Sequence, residues 1–439
     1  MGQQESVART LTGPTGQRVA GEIDTLLAPV DAELARAYPG DPGTRQPVHT
    51  VYVPAGDLAP DTPRAWGDEA LAALDAHAPD AASFAAVLGL APGLADEVHH
   101  RVRAKLRREP VEDLRIDFED GYGPHTPAAE DHDAARAARI VAEGHRSGTG
   151  AAYTGVRVKC LEAGVRERSV RTLDIFLTGL VAAGGPPAGL VLTLPKVTHP
   201  AQVTAMVRLL DAFERALGLP QGRLGFEIQI ETSQAVVGAD GAATVARLIH
   251  AAEGRATGLH YGTYDYSACL GVSAAHQASD HPAADHAKAV MQVAAAGTGV
   301  RVCDGSTNVL PVGPTERVHD AWRLHYRLTR RALARAYYQG WDMHPGQLPT
   351  RYAAVFAFYR ESFAATAARL AAYTGAAAAG DGATMDEPAT AKALAGHLLR
   401  GLDCGALDPD ETTAATGLAR ADLEGITAPR QAAPAGPGR

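Results

Sequence analysis

Acidic and basic side chains recur in this chain directly after short apolar segments, where they could transfer protons or hold a cation. Asp117, Glu119 and Asp120 follow one such segment, and Glu231 and Asp265 each follow another. A carboxylate held inside a fold is costly unless it is paired with a base or bound to a cation. These residues therefore indicate either an ion network or a catalytic site. Basic and further polar residues in the same kind of position are Arg157, Lys159, Lys196, Asp304 and His344.

The segments that carry these residues alternate with longer helical ones, which is typical of βα units around a parallel sheet. Eight strands of this kind predict an α/β fold, a (β/α)8 or TIM barrel, although their number alone leaves a doubly wound sheet open. The predicted strands are Thr50–Pro54, Asp113–Phe118, Gly155–Lys159, Gly189–Pro195, Leu224–Ile230, Ala256–Gly262, Gly299–Cys303 and Gly340–His344.

The alternation within the strands predicts which side chains enter the barrel. In FEIQIE at 226–231 the apolar residues share one face, and Glu227, Gln229 and Glu231 share the other. In GVRVK at 155–159 Arg157 and Lys159 share the face opposite the valines. The apolar faces should meet the surrounding helices, so the charged faces point inward. Catalytic residues of such barrels lie at the carboxyl ends of the strands, which is where these charges accumulate.

The rest of the chain is predicted to add helices to the barrel. The clearest helix spans Pro200–Leu217, with proline in its first turn and Gly218 after its end. The predicted divisions are a helical N-terminal extension (1–46), the barrel (47–350) with a helical insertion at 59–110 after the first strand, a helical C-terminal extension (351–425) and a disordered tail (426–439).

Composition argues against several classes of protein. The formal net charge of the 439 residues is −9 and no basic patch is evident, so a nucleic-acid partner is not expected. No segment is apolar for long enough to span a bilayer, and the first residues lack the apolar core of a signal peptide. The four cysteines show no CxxC spacing, which disfavours disulfides and structural zinc. A cytoplasmic protein with reduced thiols is predicted.

An ordered series of motifs suggests a family. From about His49 to Asp386 the chain contains VYVPAGD, IDFEDGYG, VRVK, LPKV, IQIETSQAVV, HYGTYDYSACLG, VCDGS, GWDMHPGQL and TMDEP. With these motifs in this order the sequence resembles the citrate lyase β-subunit-like, or HpcH/HpaI aldolase, superfamily, which includes malyl-CoA and citramalyl-CoA lyases. The resemblance implies a metal-dependent carbon–carbon lyase or aldolase that forms homo-oligomers, as trimers or hexamers.

The resemblance also implies roles for individual residues. Glu231 and Asp265 match the family's ligands of Mg2+, with Mn2+ as an alternative metal. Arg157 matches an arginine that contacts the substrate and stabilises an oxyanion. Asp386 matches a late acid–base residue, often supplied by a neighbouring subunit, for which a helix-capping aspartate is the structural alternative.

The acidic motif after the second strand contains Asp117, Glu119 and Asp120, among which the sequence does not choose firmly. We assign Asp120 to catalysis and Glu119 to substrate binding, together with Lys159, Lys196 and Arg157. Lys196 also suggests a Schiff base by position, but a lysine paired with a carboxylate is the favoured interpretation.

The chemistry that fits is cleavage or formation of a bond β to a hydroxyl in a small carboxylate substrate, through an enolate, with glyoxylate or pyruvate as the oxo-acid fragment. A CoA thioester substrate stays an alternative, because no CoA pocket is evident and both VRVK and the 59–110 insertion depart from the family pattern. GLHYGTYDY at 258–266 favours, as a second reading, a malate-synthase-like condensation of an acyl-CoA with glyoxylate. A non-catalytic metabolite-binding barrel is the alternative of another class.

Overall fold

Eight parallel strands form the predicted (β/α)8 barrel in the described part of the chain. The computed structural model describes residues 9–379 and 387–428, with the backbone alone for 376–379. Neighbouring strands follow the order β7-β6-β5-β4-β3-β2-β1-β8. The barrel closes beside Gln339, whose carbonyl oxygen accepts a 2.8 Å hydrogen bond from the Asp304 backbone N. The strands are β1 (His49–Pro54), β2 (Asp113–Asp117), β3 (Tyr153–Arg157), β4 (Val191–Leu194), β5 (Gly225–Ile230), β6 (Ala256–Tyr261), β7 (Arg301–Cys303) and β8 (Gly340–Asp342).

Helices surround the strands and form the predicted N-terminal, inserted and C-terminal additions. Short 3-10 turns lie at Ala55–Asp57, Pro92–Leu94, Ala274–His276 and Pro345–Gln347. The helices are α1 (Gly13–Ala37), α2 (Thr62–His77), α3 (Ala81–Leu88), α4 (Ala95–Arg108), α5 (Pro127–Ser147), α6 (Arg166–Ala182), α7 (Pro200–Leu217), α8 (Ser233–Val236), α9 (Thr244–Ala251), α10 (Thr263–Cys269), α11 (Pro282–Ala295), α12 (Thr315–Ala334), α13 (Leu348–Ala379), α14 (Pro388–Cys404), α15 (Pro409–Thr416) and α16 (Arg420–Thr427).

The helix α7 shows how local sequence sets these elements. Its bounds are those predicted, with Pro200 in the first turn and Gly218 after the end at φ 67°. His199 caps the start by accepting a hydrogen bond from the Ala201 backbone N at 3.1 Å. Its buried apolar side chains pack against the sheet, and each contributes roughly 1.5–3 kcal/mol by leaving water. They are Val203, Met206, Val207, Leu210 and Phe213.

The strand faces divide as the alternation predicts. Phe226 and Ile228 are fully buried on the outer face of β5, whereas Glu227 points inward and accepts a 3.0 Å hydrogen bond from Arg115 Nη2. Two strands end two residues earlier than predicted. β3 ends at Arg157 rather than at 159, and β8 ends at Asp342 rather than at 344.

A second set of charges lies in the barrel wall, between β1 and β8 and the helices α12 and α13. Asp342 accepts hydrogen bonds from Arg351 Nη2 at 2.9 Å and lies 2.9 Å from His49 Nδ1 and 3.0 Å from His325 Nε2. We call His49, His325, Asp342 and Arg351 the wall network. Burial opposes ionisation, but Arg351 and the two histidines hold the pKa of Asp342 well below its usual range.

The described helices of the additions, like those of the barrel, include no candidate membrane span. Within residues 9–379 and 387–428, no helix combines the length and the apolar character that a bilayer requires. The predicted tail begins at 426, yet α16 continues to Thr427, and 429–439 lie outside the described residues.

Candidate active site

Six charged side chains from different strands and loops converge at the carboxyl ends of the barrel strands. They come from the loop after β2, from β3, from the loops after β4 and β5, and from the start of α10. We call them the mouth cluster: Glu119, Asp120, Arg157, Lys196, Glu231 and Asp265. The sequence predicted all six, and the structure brings them together.

Asp117, at the end of β2, positions both the acidic loop and Arg157. Its Oδ1 and Oδ2 accept hydrogen bonds from Arg157 Nε at 2.7 Å and Nη2 at 2.6 Å. The same oxygens accept from the backbone N of Glu119 and of Gly121, each at 2.9 Å. A Cβ at Gly121 would lie 2.6 Å from Asp117 Oδ2, so this tight loop requires glycine. With four donors Asp117 is committed to holding the loop and is a poor choice for a catalytic base.

Arg157 keeps one edge of its guanidinium toward the cluster. Its Cζ lies 4.7 Å from the centre of the Tyr52 ring, which fixes the plane of the group. Its Nη1 lies 3.5 Å from Gln229 Oε1 and 3.6 Å from Glu119 Oε2, both longer than a strong charged contact. This edge can therefore serve an anionic oxygen of a ligand. The sequence placed Gln229 inside the barrel without assigning it to the site, and it missed Tyr52, which also occupies an inward position of its strand.

The ammonium of Lys196 links acidic residues of two segments, the loop after β2 and the start of α10. Its Nζ lies 2.7 Å from Asp120 Oδ2, 2.9 Å from Glu119 Oε1 and 3.5 Å from Asp265 Oδ2. Burial alone would lower its pKa, but the charge of Glu231 and the carboxylate hydrogen bonds raise the pKa of Lys196 above its ordinary value. A Schiff-base lysine needs the opposite shift, so the paired-lysine interpretation is the one the geometry favours.

The backbone of Lys196 adopts a strained conformation in which its N–H group donates to Glu231. Lys196 adopts φ 50°, in the left-handed region that side chains rarely occupy. Its backbone N donates a 2.6 Å hydrogen bond to Glu231 Oε1. Non-glycine residues in such conformations persist where the surrounding structure demands them, and they concentrate at functional sites.

Glu231 is the most perturbed carboxylate of the mouth cluster. It is 2% exposed, and burial, with a further contribution from the charge of Asp265, raises its pKa to about 7 against the opposing charges of Lys196 and Arg157. A Cβ at Gly262 would lie 2.5 Å from Glu231 Cβ and 2.6 Å from its Oε2, so glycine is required beside it. The loop after β6 is thus shaped around this carboxylate.

Glu231 and Asp265 fit a hard divalent cation. Both supply only carboxylate oxygens, and the raised pKa of Glu231 shows that the basic groups around it do not fully stabilise its charge. Asp265, in the first turn of α10, keeps 47% of its side chain exposed. Within residues 9–379 and 387–428, no group of three or more His, Cys, Asp or Glu side chains is arranged to hold a metal ion. A site here would rest on these two carboxylates, with water and substrate oxygens as the further ligands that Mg2+ requires.

The two other acids of the cluster differ in their surroundings. Burial raises the pKa of Glu119, partly against the charge of Arg157. Asp120 is 55% exposed in its side chain; partial burial acts against ionisation, but the hydrogen bond and charge of Lys196 lower its pKa. Asp120 is therefore the accessible, ionised carboxylate of this loop.

Other residues singled out in the sequence lie elsewhere. Lys159 follows the end of β3 and turns outward, where its Nζ donates to Phe118 O at 2.8 Å and to Glu130 Oε2 at 2.9 Å. Asp304 pairs with Lys288 at 2.9 Å. His344 accepts a 3.0 Å hydrogen bond from the Gly346 backbone N and caps a 3-10 turn. Asp386 lies outside the described residues, so its role stays a prediction.

Comparison of the sequence with family models gives a match over most of the chain. Residues 27–431 match a family model described as Domain of unknown function (DUF6986). No curated protein sequence matches the chain.

Several solved structures align with the chain at low identity. Haloferax volcanii malate synthase, in a native form with glyoxylate, is 15% identical over 70% of this chain and 74% of that chain, with a TM-score of 0.46. An HpcH/HpaI aldolase/citrate lyase family protein from Burkholderia cenocepacia J2315 is 19% identical over 59% and 87%, with a TM-score of 0.36. An HpcH/HpaI aldolase from Desulfitobacterium hafniense DCB-2 is 13% identical over 70% and 90%, also at 0.36.

Proposed function

The chain belongs to the DUF6986 family, and we propose that it is a Mg2+-dependent carbon–carbon lyase or aldolase. Its reaction would cleave or form a bond β to a hydroxyl in a small carboxylate substrate. The observation that carries this proposal is the mouth cluster, where the buried Glu231 and the half-exposed Asp265 lie beside Arg157 and Lys196. The wider resemblance of the motifs to the HpcH/HpaI superfamily points the same way.

Glu231 and Asp265 would hold the cation. When bound, Mg2+ would polarise the oxo group of the substrate as a Lewis acid. Such chemistry would need the substrate to lie between these two carboxylates and the basic groups of Arg157 and Lys196. Asp265 borders this space with nearly half of its side chain in solvent, which leaves a route of entry.

The basic residues would orient the substrate and stabilise charge. The Nη1 edge of Arg157 faces the cluster and would bind the developing enolate oxygen, while Asp117 and Tyr52 keep the guanidinium fixed. Lys196 would bind the substrate carboxylate from the loop after β4. Because the side chains of Arg157 and Lys196 are held in place before the substrate arrives, little reorganisation is needed during the reaction.

Proton transfer is assigned to Asp120 and Asp386. In the cleavage direction a base takes the hydroxyl proton, the bond between the α and β carbons breaks, and the electron pair passes to the enolate, which an acid then protonates. Asp120 is accessible and ionised, so it can accept the proton, and its pairing with Lys196 lowers its pKa and makes it a weak base. Asp386 keeps the role of acid that the family resemblance implies. Glyoxylate or pyruvate is the proposed oxo-acid product.

One alternative reaction uses the same residues in the direction of synthesis. The segment GLHYGTYDY places Asp265 directly after β6 and favours a malate-synthase-like condensation of an acyl-CoA with glyoxylate. A barrel that only binds a metabolite is the alternative without catalysis, and it requires no metal at Glu231.

A product screen with Mg2+ tests the proposal. It offers 4-hydroxy-2-oxo acids and β-hydroxyacyl-CoAs in one arm, and acetyl-CoA with glyoxylate in the other. We expect turnover in one arm that is abolished by EDTA and by Glu231→Gln, and kept in the matched control Lys159→Met. Turnover that survives both EDTA and Glu231→Gln would overturn the metal-dependent mechanism.

A further inference from the structure

The loops at the carboxyl ends of the last four strands carry most of the exposed apolar side chains of the barrel. Beyond residue 38, the described part of the chain exposes seven large apolar side chains, and six of them lie in these loops. Apolar side chains that gather on one part of a protein surface mark binding sites. The six are Val237 after β5, Leu270 after β6, Val309, Leu310 and Val312 after β7, and Met343 after β8.

Four of the six side chains lie on two loops that touch each other. Gln347 Nε2, after β8, donates to Thr307 O, after β7, at 3.3 Å. A Cβ at Gly346 would lie 2.8 Å from Pro311 Cγ, so the two loops are in close contact there. We call these four side chains the rim patch: Val309, Leu310, Val312 and Met343, which are 37–45% exposed.

The two halves of the barrel mouth differ in charge. The loops after β2 and β4 supply Glu119, Asp120 and Lys196 to the mouth cluster. The segments 266–279, 305–314 and 343–350, which follow β6, β7 and β8, contain no Asp, Glu, Lys or Arg. A second carboxylate or a phosphate on a ligand would find no basic partner in these segments, whereas an apolar group would gain by leaving water.

The rim patch is continuous with the proposed metal ligands. Tyr264 directly precedes Asp265 in α10, and its hydroxyl accepts a 2.5 Å hydrogen bond from the backbone N of Asn308, the residue before Val309. The Tyr264 ring therefore spans the interval between Asp265 and the rim patch. A ligand whose charged end lies at the mouth cluster can extend along this ring to the rim patch.

We propose that the substrate carries an uncharged apolar group of several carbons, which lies on the rim patch while the oxo-acid end is held at the mouth cluster. This inference rests on the proposed function and names its substrate class, a 4-hydroxy-2-oxo acid with the apolar group on carbon 4. Cleavage between carbons 3 and 4 gives pyruvate and an apolar aldehyde. The hydroxyl proton passes to the base, the electron pair of the broken bond passes to the enolate, and carbon 3 then accepts a proton.

The size of the rim patch favours a small ligand over a protein partner. Four partly exposed side chains fall well short of the roughly 800 Å² per partner that a specific protein interface buries. A protein seated on these loops would also close the entrance to the mouth cluster. An alkyl chain needs few contacts, since each methylene that leaves water completely improves binding about four-fold.

Binding of a series of 2-oxo acids in the presence of Mg2+ tests the inference without turnover. Pyruvate, 2-oxobutanoate, 2-oxohexanoate and 2-oxooctanoate share the oxo-acid end and differ only in the chain, and calorimetric titration of the full chain gives a Kd for each. For the wild type we expect Kd to fall about two- to four-fold with each added methylene.

A pair of matched variants assigns this gain to the rim patch. Val309→Thr with Leu310→Asn keeps the size of both side chains but makes them polar, so the gain in affinity from pyruvate to 2-oxooctanoate should shrink at least about ten-fold. Val293→Thr with Leu26→Asn makes the same changes at exposed positions on α11 and α1 and should keep the gain. Circular dichroism and thermal unfolding check that both proteins fold.

The outcomes separate this inference from the proposed function. Affinity that does not depend on chain length, or a gain that survives in Val309→Thr with Leu310→Asn, would overturn the inference alone. So would self-association that this variant disrupts while the chain-length series stays unchanged, which would assign the patch to a second copy. Absence of binding by every 2-oxo acid would overturn both. The expected series without turnover of any 4-hydroxy-2-oxo acid would support the rim patch and contradict the proposed reaction.

Discussion

The mouth cluster and the wall network contain the same kinds of residue but treat a buried carboxylate in opposite ways. Asp342 of the wall network is fully buried, and Arg351 with two histidines holds its pKa well below the usual range. Glu231 of the mouth cluster is 2% exposed, yet its pKa rises to about 7. A satisfied structural ion network lowers a carboxyl pKa, whereas a site that awaits a ligand leaves charge insufficiently stabilised. The contrast concerns these two carboxylates, and the variants below test whether their roles differ in the same way.

The largest expected effect is on activity, at the mouth. Glu231→Gln keeps the size of the side chain and an oxygen for the Lys196 backbone N, but it removes the charge that would bind Mg2+. We expect kcat/KM for the proposed reaction to fall about 1,000-fold, which corresponds to about 4 kcal/mol of transition-state stabilisation. Steady-state kinetics measure it, and circular dichroism should show an intact fold. A loss below ten-fold would contradict the assignment of Glu231 as a ligand.

The corresponding change in the wall network should affect stability. Asp342→Asn leaves Arg351 buried without its anionic partner, and breaking a buried pair in this way costs about 3–5 kcal/mol. Urea unfolding of the variant and the wild type measures the difference. The folded fraction should keep near-normal kcat, since the wall network does not reach the mouth cluster. A stable Asp342→Asn variant with impaired kcat would reverse the roles assigned to the two regions.

Stability should depend on pH with opposite signs at Glu231 and at a paired carboxylate. The pKa of Glu231 is about 7 in the folded chain and 4.5 in the reference state, so the folded state binds more protons between these values. Stability therefore falls as pH rises from 4.5 to 7, by up to about 3 kcal/mol. The pKa of Glu214, which Arg255 pairs at 2.7 Å, is lowered to about 2 despite burial. Its contribution is present above pH 4.5 and is lost as pH falls toward 2.

Urea unfolding in EDTA at several pH values measures both effects. One is the loss of stability between pH 4.5 and 7 from Glu231, and the other is the loss toward pH 2 from Glu214, which is called the acid limb. Glu231→Gln should remove the loss of stability between pH 4.5 and 7 and leave the acid limb unchanged. Glu214→Gln should remove the loss of stability toward pH 2 and leave the loss between pH 4.5 and 7 unchanged. Equal slopes in the wild type and Glu231→Gln between pH 4.5 and 7 would show that the pKa of Glu231 is not raised in the folded chain.

The smallest expected effects distinguish two lysines that the sequence groups together. Lys196→Met removes an ammonium within the mouth cluster and should lower kcat/KM about 100-fold. Lys159→Met removes an ammonium that pairs with Glu130 on α5, so it should change kcat/KM less than about three-fold. Kinetics of both variants under the same conditions provide the comparison. Comparable losses would mean that the substrate reaches beyond the mouth cluster.

The fold was accessible from the sequence because its signals are local and repeated. Alternation in β5 placed Glu227 and Gln229 inside the barrel, and the proline and glycine around α7 marked its ends correctly. The mouth cluster was also predictable as a set, since the carboxyl ends of barrel strands meet on one face. These residues could be grouped from their positions at the strand ends, without any distance between them.

Pairing and strand ends were not accessible in this way. Lys159 continues the pattern of β3, but the strand stops at Arg157 and the lysine turns to α5. The contacts of Lys196 join loops 69 to 77 positions apart, and nothing local specifies its φ of 50°. The amphipathic pattern of α1 likewise does not show whether its apolar face is buried or exposed in the folded chain.

Calorimetric titration of Mg2+ into EDTA-treated protein tests the central claim most directly. The wild type should bind one Mg2+ per chain, and Glu231→Gln should bind it at least about 100-fold more weakly, because a ligand carboxylate contributes several kcal/mol. Lys159→Met should bind as the wild type does. Equal affinity in the wild type and Glu231→Gln, or no binding to the wild type, would contradict a metal site at the mouth of the barrel.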